Sequence, residues 1–120
     1  MKKLLIVDDQ AGIRLLLDEV FKKEGYETVL ASNGKEALLR VENDDPDCIL
    51  LDMKMPGMDG AEVLRQVKSD RPDRPVVMMT AYDEIESADP EAEHRADHYF
   101  TKPFDIHEVR QTINKLLRER

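Results

Sequence analysis

The sequence has a single cysteine, no tryptophan and no long apolar run. One cysteine cannot form an internal disulfide, and Cys48 stands in the apolar run 48–51, where a small buried thiol without a function is expected. No stretch reaches the roughly 18 apolar residues that a membrane-spanning helix needs, and the N-terminus leads directly into a strand-like segment instead of the apolar region of a signal peptide. We therefore expect a cytoplasmic protein that does not bind membranes.

Basic residues are few relative to acidic ones. The 18 lysines and arginines face 26 aspartates and glutamates, which gives a net charge of −8. A protein of this charge repels the phosphates of nucleic acids, so direct binding to nucleic acid is not expected. The length of 120 residues predicts one domain, residues 1–120, because domains usually have about 100–200 residues.

Short apolar runs alternate along the chain with longer amphipathic stretches. Runs of β-forming residues occur at 4–7, 28–31, 48–51 and 76–79. The first run is followed by apolar residues at helical spacing and by a glycine suited to end a helix: Ile13, Leu16, Leu17, Val20, Phe21 and Gly25. Strand and helix patterns recur in this order, which predicts an α/β fold. We expect a flavodoxin-like, doubly wound sheet of five parallel strands in the order 2-1-3-4-5, with five helices.

Three of the predicted helices carry more specific expectations. The helix after the third strand should bury Ala61, Leu64 and Val67. The last helix should begin at Asp105, which has capping-box spacing with Glu108. The fourth helix should be short, kinked or partly disordered, because segment 83–97 is mostly polar and contains a central proline.

Polar side chains stand where four of the five predicted strands end. Asp8 and Asp9 follow the first strand, Asp52 the third and Thr80 the fourth, and Lys102 follows the fifth. Ligands of open parallel sheets bind outside the carboxyl ends of the strands, so these side chains should converge. Three neighbouring carboxylates oppose one another's ionisation unless a cation neutralises them. Their oxygen ligands at a half-open site favour Mg²⁺, with Mn²⁺ as the alternative ion.

The same residues are suited to phosphoryl transfer. Lys102 offers a positive charge and Thr80 a hydroxyl donor for the oxygens of a phosphoryl group. No general base is needed, because an ionised carboxylate attacks phosphorus directly in aspartyl-phosphate chemistry. Asp52 is the best-placed nucleophile, so the sequence predicts Asp52, Thr80 and Lys102 as the catalytic residues.

Four motifs of the sequence resemble the receiver domain of two-component response regulators: LIVDD (5–9), LLDMKMPGMDG (50–60), MTA (79–81) and FTKPF (100–104). The resemblance spans almost the whole chain. It implies that Asp52 accepts a phosphoryl group from a histidine kinase or a histidine phosphotransferase. It also implies that Asp8, Asp9, Asp52 and the main-chain carbonyl of Met53 hold Mg²⁺, and that the Lys102-Pro103 bond is cis.

Within that family the sequence looks most like the stand-alone phosphotransferases of sporulation phosphorelays. This likeness implies a docking surface for a helical-bundle partner around the phosphorylation site: Gln10, Gly12, Ile13, Leu16, Tyr82, Pro103 and Phe104. For Ile13 and Leu16, ordinary core packing is the alternative. Lys54 and Tyr82 stand where receivers tune the hydrolysis of the phospho-aspartate, and Tyr99 stands where receivers carry a switch aromatic.

The sequence departs from these relatives at three places: Ala11 replaces an aromatic, Tyr99 replaces a histidine of the sporulation proteins, and Arg95-Ala96 replaces the Gly-Ala that usually precedes the fifth strand. We therefore expect an atypical readout surface and a monomer. The sequence does not distinguish a complete relay protein from the receiver of a longer regulator.

Three other functions are compatible with an α/β fold of this size. A flavin carrier would need a phosphate-cradling loop after the first strand, where Asp8 and Asp9 repel phosphate. A dehalogenase-like phosphatase expects its two aspartates to be separated by one residue. A pseudo-receiver, which binds partners without being phosphorylated, normally lacks one of the five site residues, and all five are present. The prediction is thus a phosphoacceptor that catalyses its own phosphorylation and dephosphorylation, not an enzyme with a separate substrate.

Overall fold

The computed structural model describes residues 1–80 and 95–118 and shows a five-stranded parallel sheet flanked by helices. The strands are β1 (Lys3–Val7), β2 (Glu27–Ala31), β3 (Cys48–Asp52), β4 (Val76–Thr80) and β5 (His98–Thr101). The helices among the described residues are α1 (Ala11–Lys23), α2 (Gly34–Asp44), α3 (Gly60–Asp70) and α4 (Ile106–Arg118). The strand order is β2-β1-β3-β4-β5, and every pair is parallel. The predicted fold class and strand order are confirmed.

The helix predicted within 83–97 falls mainly on residues 81–94, which lie outside the described residues. Residues 95–97 are described and precede β5 without forming part of a helix. The expected short or kinked helix therefore stays a prediction, and the described part of the chain contains four helices.

The core consists of two apolar layers, one on each face of the sheet. Successive side chains of a strand point to opposite faces, so Leu4 and Ile6 of β1 pack in one layer and Leu5 and Val7 in the other. The first layer is closed by α1 and α4, and the second by α2 and α3. Because helices cover both faces, β3 and β4 are buried along their whole length.

The helix ends follow from local chemistry. Asn33 caps α2 and Asp59 caps α3, each accepting a hydrogen bond from the main-chain N–H three residues later, at 2.8 and 3.0 Å. Gly25, after α1, has a φ of 93°, which glycine adopts without strain. Asp105 precedes α4 as predicted, and its side chain accepts from the N–H of His107 at 2.8 Å.

Two predicted helix faces differ from the observed ones. Leu16 belongs to the predicted apolar stripe of α1, yet it is 50% exposed, beside Leu15 at 59%. The stripe of α3 is rotated by part of a turn, because Val63 is buried and Ala61 is exposed. The spacing of alanines or of adjacent leucines does not show where the apolar face of a helix ends. The elements that pack on the helix determine which of these residues are buried.

Lys68 of α3 is a buried lysine that the sequence did not single out. Its ammonium donates to the carbonyl oxygens of Pro72 and Arg74, at 3.2 and 2.8 Å, and pairs with Asp97 Oδ2 at 2.7 Å. The same Asp97 oxygen accepts from the N–H of Val76 at 2.8 Å. Lys68 thus fixes the loop before β4 to the chain before β5. None of the helices in the described ranges is long and apolar enough to cross a bilayer.

Candidate functional site

The carboxyl ends of β1, β3, β4 and β5 bring the predicted site residues together. The register pairs Val7 with Leu51 and Asp52 with Met79, so the ends of these three strands lie side by side. Asp8, Asp9 and Asp52 each offer a carboxylate oxygen within 4.8 Å of the others. The sequence therefore placed this cluster correctly.

Asp52 is buried and lies close to other charged side chains. Its side chain is 5% exposed, and Lys102 Nζ is 3.2 Å from Asp52 Oδ1. Burial, and after it the neighbouring charge of Asp8, raise the pKa of Asp52 to about 6, although Lys102 opposes both effects. At neutral pH the carboxylate is still mostly ionised, as a nucleophile must be.

Asp8 is fixed by contacts on both sides. Its Oδ1 accepts from the N–H of Gln10 at 2.9 Å, its own N–H donates to the carbonyl of Ala31 at 3.2 Å, and Arg14 Nη1 donates to its carbonyl oxygen at 2.7 Å. The contact with Arg14 was not predicted. The sequence does not show the direction in which a long arginine side chain extends, so an arginine in the first turns of a helix is normally interpreted as solvent-exposed.

The cluster holds more negative than positive charge. Asp8 Oδ2 is buried, lies 3.6 Å from Lys102 Nζ, and accepts no hydrogen bond from the part of the chain that the structure describes. A buried carboxylate oxygen without a donor is unfavourable, and a cation removes that cost. The three carboxylates and the orphaned oxygen therefore fit a hard divalent cation such as Mg²⁺.

The main chain of Met53 is held from two directions. Its N–H donates to the carbonyl of Met79 at 2.9 Å, and its carbonyl accepts from the N–H of Gly60 at 2.6 Å. A carbonyl oxygen has two lone pairs, so one remains for a cation at the position that the resemblance implies.

Gly60 permits the close approach of α3 to this peptide. A Cβ at Gly60 would lie 2.5 Å from the carbonyl oxygen of Asp52 and 2.6 Å from Met53 Cα, both main-chain atoms. Sequence reasoning gave Gly60 no role of its own. The only signal was its place in the 50–60 motif, one residue after the cap of α3.

Thr80 and Lys102 complete the site from β4 and β5. Thr80 is 1% exposed, and its hydroxyl donates to Met53 Sδ at 3.1 Å. The N–H of Lys102 donates to the carbonyl of Thr80 at 2.8 Å, and the Lys102-Pro103 bond is cis, as the resemblance implies. A cleft of about 540 Å³ opens onto the site, lined by Asp9, Gln10, Asp52, Lys54, Met55, Pro56 and Lys102.

Of the predicted docking residues, Gln10 lines this cleft, and most of the others are exposed or partly exposed. Gln10, Gly12, Leu16 and Pro103 are exposed, and Ile13 and Phe104 are partly buried against the core layer under α1 and α4. The exposure of Leu16 removes core packing as its explanation, whereas Ile13 takes part in the core. Tyr82 lies outside the described residues, so its predicted docking and tuning roles stay predictions.

The two other predicted tuning residues differ in environment. Lys54 is exposed at the mouth of the cleft. Tyr99 is half-buried against the layer under α2 and α3, and its hydroxyl accepts from the N–H of Ala96 at 3.1 Å. Arg95 stacks over its ring at 5.9 Å. The unusual Arg95-Ala96 pair therefore contacts the aromatic residue that it precedes.

Comparison with known proteins identifies the family. The family described as "Response regulator receiver domain" matches residues 4–114. This chain belongs to the response regulator receiver family. Sporulation initiation phosphotransferase F of Bacillus subtilis is 51% identical to this receiver over 116 residues, covering 97% of this chain and 94% of that protein.

Other relatives of this receiver are longer or are known as structures. The alkaline phosphatase synthesis transcriptional regulatory protein PhoP of Bacillus subtilis is 40% identical over 117 residues, and the match covers 98% of this chain but 49% of that protein. The solved structure of response regulator protein TrrA of Thermotoga maritima, in complex with Mg²⁺-BeF, has a TM-score of 0.87 and 38% identity. That match covers 98% of this chain and 100% of the other.

Proposed function

We propose that this receiver accepts a phosphoryl group on Asp52 from a phosphohistidine of a histidine kinase or a histidine phosphotransferase. The observation that carries the proposal is the position of Lys102 Nζ, 3.2 Å from Asp52 Oδ1 and 3.6 Å from Asp8 Oδ2, at the mouth of a carboxylate cluster. This arrangement puts the nucleophile, a phosphate-binding cation and a metal-binding set in one cleft.

The reaction follows from the chemistry of these groups. An oxygen of the Asp52 carboxylate attacks phosphorus, the phosphorus–nitrogen bond of the phosphohistidine breaks, and the imidazole leaves with the electron pair. Lys102 turns from the carboxylates to an oxygen of the transferred group, and the Thr80 hydroxyl donates to another. Asp8, Asp9, Asp52 and the Met53 carbonyl would hold Mg²⁺, which supplies charge neutralisation of the phosphoryl oxygens when bound.

The docking surface proposed for the partner consists of exposed residues of α1 together with the residues that line the cleft. Leu15 and Leu16 project from α1 at 59% and 50% exposure, next to Gln10 and Gly12. Exposed leucines beside a charged cleft fit a helical partner that presents its histidine to Asp52. The likeness to a sporulation phosphotransferase favours a relay, in which the phosphoryl group passes on to a second histidine.

We also infer the assembly state, the location and the reactivity of the protein. The protein works as a monomer, in the cytoplasm, and without direct contact to nucleic acid, which its net charge of −8 disfavours. It is a phosphoacceptor that promotes reactions of its own Asp52 and has no separate substrate to turn over.

The test is the intact mass of the protein after incubation with acetyl phosphate, with Mg²⁺ and with EDTA. We expect one phosphoryl adduct that requires Mg²⁺ and is absent from Asp52→Asn. Asp70→Asn, the same change at an exposed aspartate of α3, should be phosphorylated like the wild type. No adduct in the wild type under any condition would refute the proposal and leave a pseudo-receiver that only binds partners.

A further inference from the structure

The Thr80 hydroxyl makes a hydrogen bond in the unphosphorylated protein. It donates a hydrogen bond to the thioether sulfur of Met53, at 3.1 Å, in a position that is almost closed to solvent. Met53 directly follows Asp52, so the group that should contact the phosphoryl oxygens is bound to the side chain next to the phosphorylated one. The hydroxyl has to exchange acceptors when Asp52 is phosphorylated.

The strength of the two acceptors differs. A thioether sulfur is a weak acceptor, whereas a phosphoryl oxygen is anionic and accepts strongly. The hydroxyl therefore gains free energy when it leaves the sulfur for a phosphoryl oxygen. The gain is reduced by the free energy that is needed to break the hydrogen bond to Met53. The Met53 sulfur thus stabilises the unphosphorylated arrangement by a small amount.

The side chain of Met53 can move independently of its main chain. Its N–H and its carbonyl are both fixed, to Met79 and Gly60, while the side chain has three rotatable bonds and a half-buried position. The sulfur can move away from Thr80 without displacing the carbonyl that would face the cation.

We propose that Met53 is a positioning residue whose thioether holds the Thr80 hydroxyl in the unphosphorylated protein and releases it on phosphorylation. The inference rests on the proposed function. It follows that Met53, through Thr80, contributes to the free-energy difference between the unphosphorylated and the phosphorylated site.

The first experiment measures the affinity for beryllofluoride, a phosphoryl mimic, at saturating Mg²⁺. Met53→Leu keeps the size and the unbranched Cβ but removes the acceptor, so the hydroxyl loses a partner only in the free state. Since a weak neutral hydrogen bond is involved, we expect roughly two- to fivefold tighter binding. Mg²⁺ affinity is measured separately for each variant, so that all of them are compared at saturating Mg²⁺.

The matched control is Met58→Leu. Met58 is a half-buried methionine of the same loop whose side chain lies against Gly34. It should bind beryllofluoride like the wild type. A general effect of exchanging methionine for leucine near the site would appear in both variants and would contradict the inference.

A double-mutant cycle tests whether Met53 acts through the hydroxyl. In a Thr80→Val background the hydroxyl is gone, so Met53→Leu should change beryllofluoride affinity by less than the experimental error, whereas in Thr80→Ser the two- to fivefold effect should return. In urea unfolding of the metal-free protein, Met53→Leu should instead lower the unfolding free energy, and this loss should likewise disappear in the Thr80→Val background.

The outcomes separate this inference from the proposed function. A wild type that binds Mg²⁺ but no beryllofluoride would overturn the proposed function, and this inference with it. A wild type that binds beryllofluoride while Met53→Leu matches it, or while Met53→Leu has the same effect in Thr80→Val, would overturn this inference alone.

Discussion

Replacing Asp52 with asparagine should stabilise the metal-free protein at neutral pH, although it abolishes the phosphoacceptor. The pKa of Asp52 is raised from 3.8 to about 6 by burial and by Asp8, which outweigh Lys102. The unfolded chain therefore loses this proton first, and the folded state becomes less stable as the pH rises from about 4 to about 6. Two pKa units correspond to roughly 3 kcal/mol, which is fully expressed above pH 7.

Asparagine has the same shape as aspartate but carries no charge, so the variant avoids this loss. We expect the two proteins to have similar free energies of unfolding near pH 4. At pH 7.5 the variant should exceed the wild type by up to about 3 kcal/mol. Titrating groups that do not interact with Asp52 are common to both proteins and cancel in the difference.

The assay is urea unfolding in EDTA at several pH values between 4 and 8, with the same series for Asp70→Asn. Asp70 is an exposed last residue of α3, so its replacement should change the unfolding free energy by less than about 1 kcal/mol. Mg²⁺ at pH 7.5 should then stabilise the wild type more than Asp52→Asn, since it binds the folded carboxylates. A wild-type-to-variant difference that is the same at pH 4 and pH 7.5 would refute the assignment of burial and charge repulsion to Asp52.

Two further predictions concern the supports of the site and of the fold. Gly60→Ala places a methyl against main-chain atoms of Asp52 and Met53, so the unfolding free energy should fall by about 1–3 kcal/mol and Mg²⁺ should bind more weakly in a titration. Gly12→Ala, whose Cβ meets nothing within 4 Å, should not be destabilised, and equal losses in both variants would contradict the close-approach argument. Lys68→Met removes a buried ammonium with three acceptors and should cost about 1–3 kcal/mol in urea unfolding. Lys23→Met, at the exposed pair with Glu19, should cost under about 1 kcal/mol, and a similar cost in both would show that the Lys68 contacts do not stabilise the fold.

The convergence of the five candidate site residues was predictable because it follows from two simple facts about parallel sheets. Buried strands are recognisable in the sequence as short runs of β-forming residues, and the carboxyl ends of parallel strands must meet at one edge of the sheet. Asp8, Asp9, Asp52, Thr80 and Lys102 each stand one step from such an end, so their convergence needed no knowledge of side-chain conformations. The observed carboxylate cluster and the 3.2 Å contact between Lys102 and Asp52 have this origin.

The features that the sequence did not predict depend on how side chains and helices meet. The hydrogen bond from Thr80 to Met53 depends on one rotamer, and that from Arg14 to Asp8 depends on which way a long side chain folds. The contacts of Lys68 were not predicted because nothing in the sequence shows that three oxygens surround its ammonium. Leu16 had helical spacing suited to the core, but the elements packed on α1 leave it exposed.

The instability expected of the metal-free site and its chemical function have the same cause. A nucleophilic carboxylate next to two others has to be ionised at neutral pH, and burial beside Asp8 makes that ionisation costly for Asp52. Lys102 relieves only part of the cost, because a single ammonium faces two carboxylates at 3.2 and 3.6 Å. The remaining excess charge attracts a divalent cation, and the cation in turn permits an anionic phosphoryl group to approach. Substitutions that make the empty site more stable, of which Asp52→Asn is the extreme case, should therefore weaken Mg²⁺ binding to a similar extent.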